Sequence, residues 1–131
     1  MKYSKVQYNH YLEENEVVQT RLRPSKSAII PGYIFLGMDG KIIIYHRYAW
    51  DGITNGVDFK SNRTAGLVHD ALYQLMREGC LDLSFKDQCD EELRDIMIRE
   101  GCFKFIANFF FFMVQKFGNA FATKKKKIYV V

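Results

Sequence analysis

The sequence is short of the devices that staple, export or span. Among 131 residues there are three cysteines, Cys80, Cys89 and Cys102, an odd number without C-x-x-C spacing. This pattern fits neither a disulfide framework nor a zinc knuckle, and leaves small reduced residues of a cytosolic protein. The opening MKYSKVQYNHYLEENE has no apolar core. No signal peptide is therefore expected, and the chain is expected in the cytoplasm on synthesis. No apolar run approaches the roughly twenty residues that a transmembrane helix needs. There is no internal repeat and no long linker. Excess positive charge is absent outside one place: the formal net charge is +4, and Lys124 to Lys127 account for all of it. A generally basic face for specific nucleic-acid binding is not expected, because the excess sits in one tail. That tail is either a solvated end or a short polybasic segment for anionic lipid or another phosphate-rich partner.

What is present is apolar and aromatic. Hydrophobic residues make up 48% and aromatics 15%, enough for one globular domain over residues 1–131 with its own core. Residues 1–26 read as a polar, irregular arm interrupted by Pro24. The runs AIIPGYIFL (28–36) and KIIIYHRY (41–48) are rich in β-branched and aromatic residues and flank GMDG. Its Asp39-Gly40 pair signals a tight turn, so residues 28–48 are expected to form a β-hairpin. Pro31 and Gly32 make the first run an edge or bulged strand. Residues 49–62, dense in Gly, Asn, Asp and Thr, read as a loop.

A helical core is expected over 63–118, giving an α+β fold, with 119–131 as a basic tail. The first helix runs from about 62 to 78 and stops at Gly79. The second is expected to be capped by Ser84, with Asp87 in the acidic capping-box position, and to end at Gly101. The third covers 102–117 and ends at Gly118. It contains FIANFFFFMV, apolar on every face, which predicts burial; docking at a membrane surface is the alternative.

The chemistry concentrates in TAGLVHDALYQL (64–75). Ala65, Val68, Leu72 and Leu75 or Met76 recur at helical spacing, and His69 shares their side with Tyr73. Asp70 lies about 100° further round, free to bind something else. On the second helix the apolar stripe is Phe85, Cys89, Leu93, Ile96 and Met97. Asp90 lies only about 60° from Leu93, whereas Asp87, Glu91, Glu92 and Asp95 lie about 100° or more away. Helices joined by a short turn run antiparallel, and the midpoint between positions 69 and 90 falls in the turn at Gly79 and Cys80. His69 and Asp90 are thus expected to meet. A carboxylate on one imidazole nitrogen fixes the tautomer and leaves the other nitrogen as a base.

HDALY (69–73) and CDEEL (89–93) resemble the phospholipase A2 group, which pairs a His-Asp-x-x-Tyr helix with a second aspartate on an antiparallel partner. The resemblance is to the disulfide-free versions on parvovirus capsids rather than to the secreted enzymes. It implies a phospholipase A2-like helical core and calcium-dependent hydrolysis of a lipid ester. In these terms His69 activates water and Asp90 orients it, with Tyr73 hydrogen-bonding a carboxylate of the site. Asp70 would bind calcium with the loop YAWDGITNG (48–56), through Asp51, Gly52 and Asn55. The W-D-G loop followed by H-D-x-L-Y over residues 28–118 is also similar to a family of uncharacterised phage and bacterial proteins. That similarity implies phage or prophage origin, with a phospholipid surface or other virion proteins as partners, and by itself no activity. Without catalysis, His69 and Asp90 would be a structural hydrogen-bonded node of a virion or accessory protein, and Trp50, Asp51 and Gly52 a loop anchor. A metal phosphohydrolase ranks lower, since His46 falls in a predicted strand and His10 in the arm. Cysteine–histidine nucleophilic catalysis ranks lowest.

Overall fold

A computed structural model describes residues 14–46, 48 and 63–118 in full, and only the backbone of 3–4, 10–12, 49–50, 53–54, 57–58 and 119–123. In chain order the elements are β1 (Tyr3–Ser4), β2 (His10–Leu12), β3 (Glu16–Gln19), β4 (Ala28–Ile30), β5 (Ile34–Leu36), β6 (Lys41–Ile44), β7 (Ala49–Trp50), β8 (Ile53–Thr54) and β9 (Val57–Asp58). Helix α1 (Arg63–Arg77), a 3₁₀ turn (Leu83–Phe85), α2 (Lys86–Arg99) and α3 (Lys104–Thr123) follow. The fold is α+β: an antiparallel sheet, then three helices among the described residues.

The main sheet has four strands in the order β3-β6-β5-β4, all antiparallel. It is larger than the expected hairpin for two reasons. First, AIIPGYIFL is two strands rather than one bulged strand. Pro31 and Gly32, with φ +83° at the glycine, fold the chain so that Tyr33 N–H donates to the Ile30 carbonyl at 3.0 Å. Second, residues 16–19 are not an irregular arm, because β3 pairs with β6 from Glu16↔Ile44 to Gln19↔Lys41. The turn at 37–40 is where it was expected. Gly40 has φ +87°, its N–H reaches the Gly37 carbonyl at 3.0 Å, and Asp39 Oδ1 accepts from Lys41 N–H at 3.0 Å.

Period-two alternation sends Ala28, Ile34, Leu36, Ile42 and Ile44 to one buried face. That face meets α1 through β4 and β6. The segment expected as a loop over 49–62 carries short paired strands: β7 joins β2, and β8 joins β9.

Helix α1 is the centre of the molecule, packed on the sheet, α2 and α3. Beyond its first two residues only Asp70 escapes full burial. It closes in a Schellman motif, with Cys80 N–H on the Leu75 carbonyl (2.8 Å), Gly79 N–H on the Met76 carbonyl (3.1 Å) and Gly79 at φ +78°. Gly101 ends α2 in the same way, with Cys102 N–H on the Met97 carbonyl at 2.9 Å.

Two expected helix boundaries move. Ser84 does not cap α2; its own N–H donates to Asp82 Oδ1 at 2.8 Å, and the chain enters α2 through the 3₁₀ turn. That hydrogen bond holds the Asp82 carboxyl below its ordinary value. Nor does α3 stop at Gly118. It continues to Thr123 with Gly118 buried within it, at the roughly 1 kcal/mol that an interior glycine costs.

The expected burial of the phenylalanine-rich helix also fails. Ala107, Val114 and Gly118 anchor one side of α3, while Phe105, Phe109, Phe112 and Phe117 face outward. The inner side of α3 packs on α1 and α2, and nothing among the described residues covers the outer side. No described helix is long and apolar enough to cross a membrane.

Candidate functional site

Antiparallel packing of α1 and α2 brings the expected pair together. His69 Nε2 lies 2.6 Å from Asp90 Oδ1, and both side chains are fully buried. Tyr73, one turn after His69, donates its hydroxyl to the same Oδ1 at 2.6 Å, and its ring tilts against the imidazole at 4.2 Å between centroids. The histidine, tyrosine and second aspartate therefore meet as the counting across the turn requires.

Two further donors complete the carboxylate. Lys86 Nζ, one helical turn before Asp90, donates to Oδ2 at 2.8 Å and also reaches the Val114 carbonyl at 3.4 Å. Gln115 Nε2, from α3, donates to Oδ2 as well. Lys86 was legible as an i, i+4 partner of Asp90. Gln115 was not, because only the docking of α3 brings it there.

Burial alone would push the Asp90 carboxyl up. Hydrogen bonds from His69, Lys86 and Tyr73, with the charge that His69 carries when protonated, outweigh it and hold the group below the ordinary carboxylate value. An ionised carboxylate only accepts, so the proton of the shared bond belongs to His69 Nε2. In the neutral imidazole this leaves Nδ1 as the acceptor. Nδ1 is buried and has no hydrogen-bond partner among the described residues, although buried polar atoms are nearly always paired.

Asp70 is not free, as its position round the helix suggested. Its Oδ2 accepts from the Tyr48 hydroxyl at 2.8 Å, and Tyr48 is itself buried. Asp51, Gly52 and Asn55, expected to join Asp70 around calcium, lie outside the described residues. Among the described residues no three His, Cys, Asp or Glu side chains gather to hold a metal ion. Calcium takes six to eight oxygens. Asp70 is the right donor type but supplies only a small part of that shell.

A second buried acid escaped the sequence reading. Glu92 is 3% exposed, although its angle from Leu93 placed it off the apolar stripe. Its Oε2 accepts from the Arg21 backbone N–H at 2.9 Å and from Arg21 Nε at 3.3 Å, while the Arg21 guanidinium also pairs with Asp95. The chain leaving β3 covers this side of α2, which a reading of residues 1–26 as irregular did not anticipate.

Cysteine chemistry finds no support. Burial, with Asp90 and Glu92 nearby, pushes the Cys89 thiol well above its ordinary value, so it stays protonated and a poor nucleophile. His46 is exposed and turned to Asn15, whose Oδ1 accepts its backbone N–H at 2.8 Å. The site is thus a single buried carboxylate that gathers an imidazole, a phenol, an ammonium and an amide from all three helices. No family model, curated protein or solved structure matches this chain, and the chemistry of the site rests on its own residues.

Proposed function

We propose that the chain is a phage-type ester hydrolase acting on phospholipid in the manner of phospholipase A2, with His69 as general base. One observation carries this reading: His69 is pinned at Nε2 by Asp90 while Nδ1 is left as an acceptor with no partner among the described residues. In the reaction Nδ1 takes a proton from water as the water oxygen attacks the ester carbonyl. Asp90 holds the resulting imidazolium, Tyr73 and Gln115 fix the carboxylate, and Lys86 balances its charge. Collapse of the tetrahedral intermediate breaks the bond to the alcohol oxygen, which recovers the proton from Nδ1. Calcium, held by Asp70 with oxygens from the 48–56 segment, would supply polarisation of the ester carbonyl. Synthesis in the cytoplasm followed by carriage on a virion fits this reading.

A second reading is a non-enzymatic virion or accessory protein in which the same residues are a packed node. The full burial of both His69 and Asp90 favours it. His69→Gln separates the two, because glutamine keeps a polar side chain but cannot take a proton at neutral pH. Fatty-acid release from mixed phospholipid vesicles, with and without calcium, is the readout. The hydrolase reading expects release by the wild type and a folded variant slowed at least about a hundredfold. No release by the wild type, with strong destabilisation of the variant, leaves the node.

A further inference from the structure

We infer that the outer face of α3 is a docking surface for an anionic lipid bilayer. Phe105, Phe109 and Phe112 recur at i, i+4 and i+7, and are 73%, 58% and 56% exposed. They point away from the side anchored by Ala107, Val114 and Gly118. Phe103, just before the helix, stacks on Phe105 with ring centroids 5.9 Å apart and lengthens the ridge. Lys116 continues the same stripe, its Nζ 5.7 Å from the Phe112 ring centroid and 5.5 Å from that of Phe117.

Charge selects the occupant. Residues 102–131 contain six lysines and no Asp or Glu, so the rest of the chain carries a net charge of −2. A second copy would set this cationic segment against itself. A bilayer with anionic headgroups offers phosphates to the lysines and acyl chains to rings that have no polar atom to satisfy. Apolar rings of a surface helix enter such a boundary by about 5–10 Å while the cations stay at the headgroups. Because α3 is not apolar enough to cross, it would lie along the surface. The inference concerns α3 alone and holds whether or not His69 is a base.

The test is flotation of the full chain with vesicles of phosphatidylcholine alone and of phosphatidylcholine containing about one third phosphatidylglycerol. Binding to the anionic vesicles is expected to be at least about tenfold stronger and to weaken between about 0.1 M and about 0.5 M salt. The triple variant Phe105→Ser, Phe109→Ser, Phe112→Ser is expected to lose about a thousandfold in partitioning, at roughly tenfold for each ring withdrawn. Its melting temperature should match the wild type, since all three rings are exposed. Phe109→Trp should show a blue-shifted emission only with anionic vesicles. Equal binding by the triple variant, no binding by the wild type, or a wild-type dimer that the triple substitution dissolves would each overturn the inference.

Discussion

Replacing Asp90 by asparagine tests the centre of the molecule more sharply than any other single change. The carboxylate accepts from His69 and Tyr73 on one oxygen, and from Lys86 and Gln115 on the other. Asparagine has one acceptor oxygen, and its amide N–H groups must face one of these donor pairs. In either orientation the Lys86 ammonium loses its counter-charge, and either His69 and Tyr73 or Lys86 and Gln115 meet an amide N–H where they had an acceptor. Removing one partner of a buried ion pair costs about 3–5 kcal/mol. Lys86 keeps 12% of its side chain exposed, so some water screens its charge and the lower end of that range applies. At this chain length about 3 kcal/mol corresponds to a fall of roughly 9–15 °C in Tm. The pH dependence gives a second readout. The folded carboxyl has the lower pKa, so in acid the unfolded chain binds more protons than the folded one. The stabilisation is complete above the unfolded value, near 4, and is lost as pH falls through the lower folded value. Thermal denaturation followed by circular dichroism from about pH 7 to about pH 3 should show this loss in the wild type and a flatter profile in Asp90→Asn. Adding Lys86→Met should return part of the lost stability, because it removes the orphaned charge. An Asp90→Asn protein within about 1 kcal/mol of the wild type, with an unchanged acid profile, would refute the reasoning.

Four further outcomes follow from single residues. Gly40→Ala should cost at least about 3 kcal/mol in denaturant unfolding, because φ is +87° and a Cβ would meet the Leu22 and Thr20 carbonyl oxygens at 2.5 Å. Gly79→Ala, with φ +78° and open space, should cost only about 1 kcal/mol; equal losses at the two glycines would contradict the crowding. Tyr73→Phe keeps the ring and removes one donor to Asp90, so a loss of about 1–2 kcal/mol is expected, and a neutral change would show that the remaining donors suffice. Millimolar calcium should raise the Tm of the wild type, and Asp70→Asn should abolish the rise while the fold persists; a wild type indifferent to calcium removes Asp70 as a ligand.

The parts legible in the sequence are those in which geometry is local or follows from counting. Asp39-Gly40, Gly79 and Gly101 each terminate an element because a positive φ at that glycine is a short-range requirement. The meeting of His69 and Asp90 followed from equal distances to a turn; Lys86, four residues before Asp90, carried an i, i+4 signal but was not among the expected site residues. What escaped depends on partners distant in the chain. EVVQ (16–19) has too little pattern to declare a strand and becomes one by pairing with β6. Glu92 is buried because Arg21 lies over it, and Gln115 enters the site because α3 packs across α2. The exposure of the α3 phenylalanines depends on which side of α3 packs on α1 and α2, which no period of an all-round apolar helix records. Asp51, Gly52 and Asn55 lie outside the described residues, so the expected calcium loop has no geometry to compare.

The strand order gives the short β3 a role out of proportion to its four residues. β6 carries Lys41-Ile42-Ile43-Ile44, and β3 occupies one of its two hydrogen-bonding edges. Stripped of β3, that edge would offer a bare row of N–H and C=O groups on a β-branched segment, the template on which chains add to one another and grow into fibrils. The sheet's present borders are poor templates: β3 is four residues long, and β4 is three and stops at Pro31. Glu16–Gln19 therefore acts as a gatekeeper. A chain truncated before Thr20 is expected to aggregate through β6 even where its helices still form.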